Sequence, residues 1–137
     1  MIGILIVTHC RLGESLIEAA EFILQRRPES CEAVSIDPKD GAEKLKAKIQ
    51  KGIKKVKGPG GVLILTDMFG GTPSNLGYSF LEEGKIEVLS GVNLPMLVKA
   101  ASVRSELKLS RLAAELEEAG KKSISLASSI LKGNKKS

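Results

Sequence analysis

The stretch "IGILIVTHCRLGESL", residues 2–16, decides the fold. Its first six residues form a short, β-branched apolar run without polar alternation, the pattern of a strand buried on both faces. A helical pattern follows almost at once. Over residues 14–26, Leu16, Ile17, Ala20, Ile23 and Leu24 recur at helical spacing. A strand covered on both sides and leading straight into a helix belongs to a parallel sheet.

The same alternation continues outward from this unit. "RRPES" ends the first helix, and residues 32–36 can form a second strand. "DPKDG" is turn chemistry, and Asp40 is placed to cap a helix running to about Val56. "KGPGG" (57–61) is a loop before the apolar strand "VLILT" (62–66). "DMFGGTPSN" (67–75) leads into a helix near Pro73, and residues 86–90 give a fourth strand. "GVNLPM" turns into a helix around 95–101. A further helix is expected over 103–119, with Gly120 as its stop. Last, "SISLA" (123–127) alternates like a half-exposed strand with no parallel partner left, so it is expected to pair antiparallel at a sheet edge, in its own subunit or in a neighbour's. The expectation is one doubly wound α/β domain over residues 1–130, mainly parallel with helices on both faces and an antiparallel edge strand, followed by a basic tail, 131–137.

Composition narrows the function. The 137 residues include four aromatics, Phe22, Phe69, Tyr78 and Phe80, so the core is aliphatic. The net charge of +5 comes largely from lysines in 44–57 and 132–137. This pattern fits a solvated helix face and a frayed terminus; nucleic-acid binding would call for interleaved aromatics or a recognition motif, and the sequence has neither. No apolar run approaches the ~20 residues of a membrane span. "MIGILIV" is short for a signal segment and lacks a basic start and a cleavage site. A cytoplasmic protein is expected, with Cys10 and Cys31 as reduced thiols.

Ligands of open parallel sheets bind beyond the carboxyl ends of the strands, where the strand order reverses. The first strand ends in "IVTHC" and places His9, the single histidine, at that level; the third ends in "LILTDMFGGTPSN" and places Asp67 there. If the two strands are neighbours, the pair can hydrogen-bond. A carboxylate that accepts one imidazole N–H fixes the tautomer and leaves the other nitrogen free to attack. A lone histidine can equally be satisfied by a backbone carbonyl. The segment after Asp67 adds weight to the paired reading. Gly70 and Gly71 let backbone N–H groups turn to one point ahead of Thr72, an apt N-cap, and Pro73, favoured at a first helical position. Such a loop suits a phosphoryl group, although it also suits a plain tight turn. Nucleophile, orienting carboxylate and anion cradle together suggest a histidine that carries phosphate. One histidine and two scattered cysteines make a poor zinc set. Dinucleotide, P-loop and nucleophile-elbow motifs are absent.

Three segments, "ILIVTHC", "GVLILTDMFGGTPSN" and "SGVNLPML", resemble the IIA component of the mannose-family sugar phosphotransferase system, over residues 2 to about 130. The resemblance implies a doubly wound α/β fold, a homodimer, and no cofactor or metal. It implies that His9 accepts phosphate from the phosphocarrier HPr and passes it to a histidine of a IIB protein, which serves the membrane components IIC and IID. It also implies that Asp67 supports His9, and that Gly70, Gly71 and Thr72 form the family's glycine-hydroxyl segment. The site wall or partner contact would be Phe69, Asn93 and Pro95; Asn93 would alternatively only form a turn and cap a helix. Two departures stand out. Cys10 occupies a position that is often glycine, either as a small filler or as a redox-sensitive neighbour of the nucleophile. Phe69 stands where some relatives have Trp. A regulatory module controlled by phosphorylation, or a phosphodonor for a dihydroxyacetone-kinase-like system, would use His9 identically. The sugar is not legible, because a IIA protein does not touch it.

Overall fold

The computed structural model describes residues 1–68 and 71–132, with residues 71–74 described by their backbone alone. Four strands, β1 (Gly3–His9), β2 (Cys31–Ile36), β3 (Val62–Thr66) and β4 (Ile86–Ser90), form one all-parallel sheet in the order β2-β1-β3-β4. The order reverses between β1 and β3, so their carboxyl ends flank the switch point. Helices α1 (Leu12–Leu24), α4 (Leu94–Val103) and α5 (Leu109–Lys122) pack on one face. Helices α2 (Ala42–Val56) and α3 (Gly71–Tyr78) pack on the other. This is the α/β architecture that the alternation implies.

The central strands are apolar because both of their faces are covered. Ile4 and Ile6 enter the core with α1 and α4, whereas Leu5 and Val7 enter the core with α2. In β3, Leu63 and Leu65 take the first face and Ile64 the second, and all three are fully buried. Each such side chain contributes about 1.5–3 kcal/mol relative to exposure. The burial makes β1 and β3 the rigid base from which the chain's chemistry projects.

Several expectations are corrected. Asp40 does not cap α2; Gly41 holds the N-cap position in extended conformation, and the Asp40 carboxylate accepts instead from Lys44 (3.3 Å) and Lys48 (2.8 Å). The expected helix over 103–119 is broken. Helix α4 runs to Val103, a 3-10 turn spans Arg104–Glu106, and α5 starts at Leu109. The break falls at Arg104, whose buried guanidinium donates to the carbonyls of Ile2 and Glu29 and so ties the turn to the start of the sheet. Gly120 does not end α5. It lies buried inside the helix, where a β-carbon would come within 2.6 Å of the Met96 methyl carbon, so the glycine marks a close approach of helices. Helix α3 starts at Gly71, ahead of Thr72, so Thr72 and Pro73 fall inside the first turn.

The late strand is also absent among the described residues. Residues 124–126 belong to no strand, and Ala127–Leu131 form a short helix, α6. Alternation becomes a strand only where an edge receives it, and within this chain no described strand pairs with the segment. Ile124 and Leu131 are 81% and 83% exposed, and Leu126 and Ile130 are exposed too.

Candidate phosphoryl-transfer site

In β1, alternate peptide groups face β2 and β3. Gly3, Leu5, Val7 and then His9 turn toward β3, but the β1–β3 ladder ends at the pair Val7 and Thr66. The next donor, the His9 amide, therefore lacks a strand carbonyl. The Asp67 side chain takes that place, with Oδ2 3.0 Å from the His9 amide nitrogen. The same carboxylate reaches the ring: Nδ1 of His9 lies 3.0 Å from Oδ2 and 3.3 Å from Oδ1. The Met68 amide donates to Oδ1 at 3.0 Å and holds the group from the far side. Thus the expected pair is formed, and its geometry follows from where the ladder stops.

The electrostatics agree with the geometry. Partial burial alone would raise the Asp67 pKa. Hydrogen bonds from the His9 amide and ring, together with the charge of His9, outweigh that penalty and hold the carboxyl below its ordinary value. An ionised carboxylate only accepts, so the proton shared with it sits on Nδ1 and the lone pair sits on Nε2. The His9 side chain is 51% exposed and the Asp67 side chain 13%. The arrangement is a fixed, partly buried acceptor beneath an imidazole open to a partner.

Cys10 follows with φ at 52°, in the left-handed region that glycine adopts without strain. That explains why glycine suits this position. The positive φ turns the chain from β1 into α1, whose Gly13 amide is received by the buried Thr8 hydroxyl at 2.8 Å. Beside the site, Leu12 and Met68 are exposed apolar side chains, 44% and 59%, that the sequence reading did not single out. Their signal was available in hindsight: each lies within three residues of the paired side chains. Among the described residues no cluster of metal-ligating side chains occurs.

Other expected residues divide. Phe69 and Gly70 lie outside the described residues, and Gly71 and Thr72 are described only as the backbone opening α3. Pro95 is exposed in the first turn of α4. Asn93 caps that helix: its Oδ1 accepts from the Met96 amide at 3.0 Å, while Nδ2 donates to the Gly120 carbonyl and to Ser123 Oγ. Its polar atoms serve the α4–α5 junction, which fits the capping alternative. Cys31 is buried in the core, and burial foremost pushes its thiol up to about 11. It is an inert packing residue.

Known proteins resemble this chain over most of its length. The family model described as PTS system fructose IIA component matches residues 3–117. A PTS system fructose-specific EIIA component from Bacillus subtilis is 31% identical over 132 residues, covering 96% of this chain and 90% of that protein. A sorbose-specific EIIA component from Lacticaseibacillus casei is 32% identical over 114 residues, 82% of this chain and 81% of that protein. In Escherichia coli, a mannose-specific EIIAB component is 34% identical over 106 residues, which are 77% of this chain but 32% of that longer protein. Among solved structures, the phosphotransferase system component EIIA from Streptococcus agalactiae superposes with a TM-score of 0.83 at 26% identity, covering 94% of this chain and 99% of that one. A mannose/sorbose-specific IIA subunit from Enterococcus faecalis gives 0.80 at 26% identity, with 91% and 93% covered. With its sheet order, its paired strand ends and a match over most of its length, the chain belongs to the phosphotransferase-system IIA family of the fructose/mannose type.

Proposed function

We propose that this chain is a phosphocarrier that accepts a phosphoryl group on His9 Nε2 from phospho-HPr and delivers it to a histidine of a IIB protein during sugar uptake. The observation that carries this reading is the contact of Nδ1 with Asp67 at 3.0 Å, which leaves Nε2 as the free nucleophile on an exposed ring. In the first step the Nε2 lone pair forms the new P–N bond as the P–N bond to the donor's histidine breaks. The proton on Nδ1 stays in place, and Asp67 stabilises the charge that develops on the ring. The second step is the reverse, with IIB as acceptor. The segment Gly70, Gly71 and Thr72 is assigned to receive phosphoryl oxygens, and Phe69 and Pro95 to serve as wall or partner contacts, with Asn93 holding the start of α4. The donor is another protein, so this chain needs neither metal nor nucleotide of its own.

The carrier works in the cytoplasm, and no described helix is long and apolar enough to cross a membrane. It acts as a homodimer in which the late segment, residues 124–131, meets a second copy. The exposure of Ile124, Leu126, Ile130 and Leu131 supports that reading. Membrane components IIC and IID enter only through IIB.

Incubation with phosphoenolpyruvate, enzyme I and HPr tests the function. One phosphoryl group is expected per chain, acid-labile and base-stable as a phosphoramidate is, and absent from His9→Ala. Acid-stable label, or label that survives His9→Ala, overturns the assignment. By rapid quench, Asp67→Asn is expected to slow transfer by about 10²-fold with an unchanged circular dichroism spectrum, the scale of losing one preorganised electrostatic contact. Wild-type rates in Asp67→Asn would make Asp67 a structural residue only.

A further inference from the structure

Charge is distributed unequally over the two faces of the sheet. Helix α1 carries three glutamates, Glu14, Glu18 and Glu21, and no basic residue. Helix α2, on the opposite face, carries six lysines and one glutamate, Glu43. Its apolar stripe, Leu45, Ile49 and Val56, is buried in the core, so the lysines surround the remainder.

Helix α5 shows how this chain builds a face meant only for water. There the basic residues are laced to acids one turn away: Arg111 to Glu115 at 2.9 Å, Lys121 to Glu117 at 3.4 Å and Lys122 to Glu118 at 4.0 Å. On α2 the lacing is partial and comes from acids outside the helix. Lys44 and Lys48 share Asp40, and Lys55 lies 3.9 Å from Glu32. Lys46, Lys51 and Lys54 are exposed, and none of them forms an ion pair with a carboxylate among the described residues. Lys44 and Lys48, and Lys51 and Lys55, stand at the i,i+4 spacing where like charges repel. Asp40 offsets the first pair, and the second, with Lys54 beside it, retains repulsion that one or two glutamates would remove.

We propose that the α2 face is an electrostatic docking surface for an anionic lipid bilayer, holding the protein reversibly against the membrane with the acidic α1 face turned away. The outer face of α2 presents ammonium groups with Ala47 and Gln50 between them and no aromatic side chain, so it offers charge without insertion or base stacking. That chemistry fits a leaflet of acidic headgroups and not a nucleic acid. Each lysine brought to such a surface raises partitioning by about fivefold, and the attraction is screened within about 8 Å at physiological salt. The inference is independent of the reaction at His9.

Flotation with vesicles tests it, using phosphatidylcholine alone or enriched in phosphatidylglycerol. The whole chain is expected to float with the anionic vesicles only, and to be released near 1 M salt, where screening acts within about 3 Å. The triple variant Lys46→Gln, Lys51→Gln, Lys54→Gln is expected to lose about 10²-fold in partitioning. Its thermal midpoint should not fall, and its acceptance of phosphate in vesicle-free solution should be unchanged. Failure to float with anionic vesicles, or equal flotation of the variant, overturns the proposal. So does a variant that accepts phosphate slowly or loses affinity for purified IIB, since the face would then belong to a protein. A chain that never labels at His9 leaves the flotation result readable on its own.

Discussion

At the β2 edge the outward peptide groups are those of Cys31, Ala33 and Ser35; at the β4 edge they are those of Ile86, Val88 and Ser90, as the ladders to β1 and β3 dictate. Two of the three β2 carbonyls are covered by cations. Arg27 donates to Cys31 at 3.2 Å and Lys48 donates to Ser35 at 3.0 Å. An incoming strand would have to displace both. The β4 edge is closed only at its start, where Ile86 exchanges hydrogen bonds with Glu82. The Val88 amide is held by its own neighbour, the Glu87 carboxylate, at 3.0 Å. Beyond that point no cation among the described residues guards the edge, and all five β4 residues are half-buried. One edge is built against strand addition and the other is left able to accept it. In the proposed homodimer, the exposed segment 124–131, with Ile124, Leu126, Ile130 and Leu131, is the element offered to that edge by a second copy.

The largest expected effect breaks that asymmetry at β4. Removal of residues 123–137 should turn the proposed dimer into a monomer, weakening association on the order of 10³-fold, the equivalent of about 4 kcal/mol, as befits several apolar side chains returned to water. Sedimentation at micromolar concentration measures it. Ser90→Pro should weaken association in the same direction, because it removes an outward N–H without touching the ladder to β3. A monomeric wild type, or a truncated chain that still dimerises, would show that the open edge has no such partner.

The same contrast separates what the sequence could show from what it could not. The buried strands, and His9 and Asp67 at neighbouring strand ends, were legible because both rest on local signals: apolar runs with period information, and the position of polar residues just after them. The late strand is not formed among the described residues of this chain, because "SISLA" has the alternation of a strand, yet pairing depends on an edge that periodicity does not contain. Asp40 looked like a cap from its place before α2, but two lysines at four and eight residues offered its carboxylate stronger partners. Gly120 looked like a stop because glycine often ends helices, whereas here the Met96 methyl group needs the space. Arg104 gave no signal at all; its partners are main-chain carbonyls of Ile2 and Glu29, distant in sequence.

A second prediction concerns the guarded edge. Arg27→Met and Lys48→Met each uncover one outward carbonyl of β2 while keeping an apolar stem over the strand. Each is expected to cost about 1 kcal/mol in urea unfolding, the net worth of an intramolecular hydrogen bond. The double variant should lose about 2 kcal/mol, since the two side chains guard different ends of the strand. Dimerisation should not change, because the β4 edge is untouched. A double variant as stable as the wild type would show that these cations are spectators of the edge.

The smallest expected effect is the acid dependence of the guarded edge. The hydrogen bond from Lys48 foremost, then the hydrogen bond from Lys44 and the charges of both lysines, hold the Asp40 carboxyl below its ordinary value of 3.8 against an opposing push from burial. A carboxyl lowered in the folded state stabilises the fold above its unfolded pKa and loses that contribution as the pH falls through the folded value. The β2 guard should therefore loosen only in acid, below the ordinary carboxylate range, and should be constant through neutral pH. Asp40→Asn removes the titrating group, so its stability profile should be flatter than that of the wild type on the acid limb. Because Asp67 is lowered in the same sense, part of the acid limb should survive in Asp40→Asn and should shrink further in Asp40→Asn, Asp67→Asn. Urea midpoints measured across the acid range decide it. An Asp40→Asn chain whose profile parallels the wild type at every pH would mean that Lys48 guards Ser35 without help from Asp40, and that the β2 edge is held by the hydrogen bond alone.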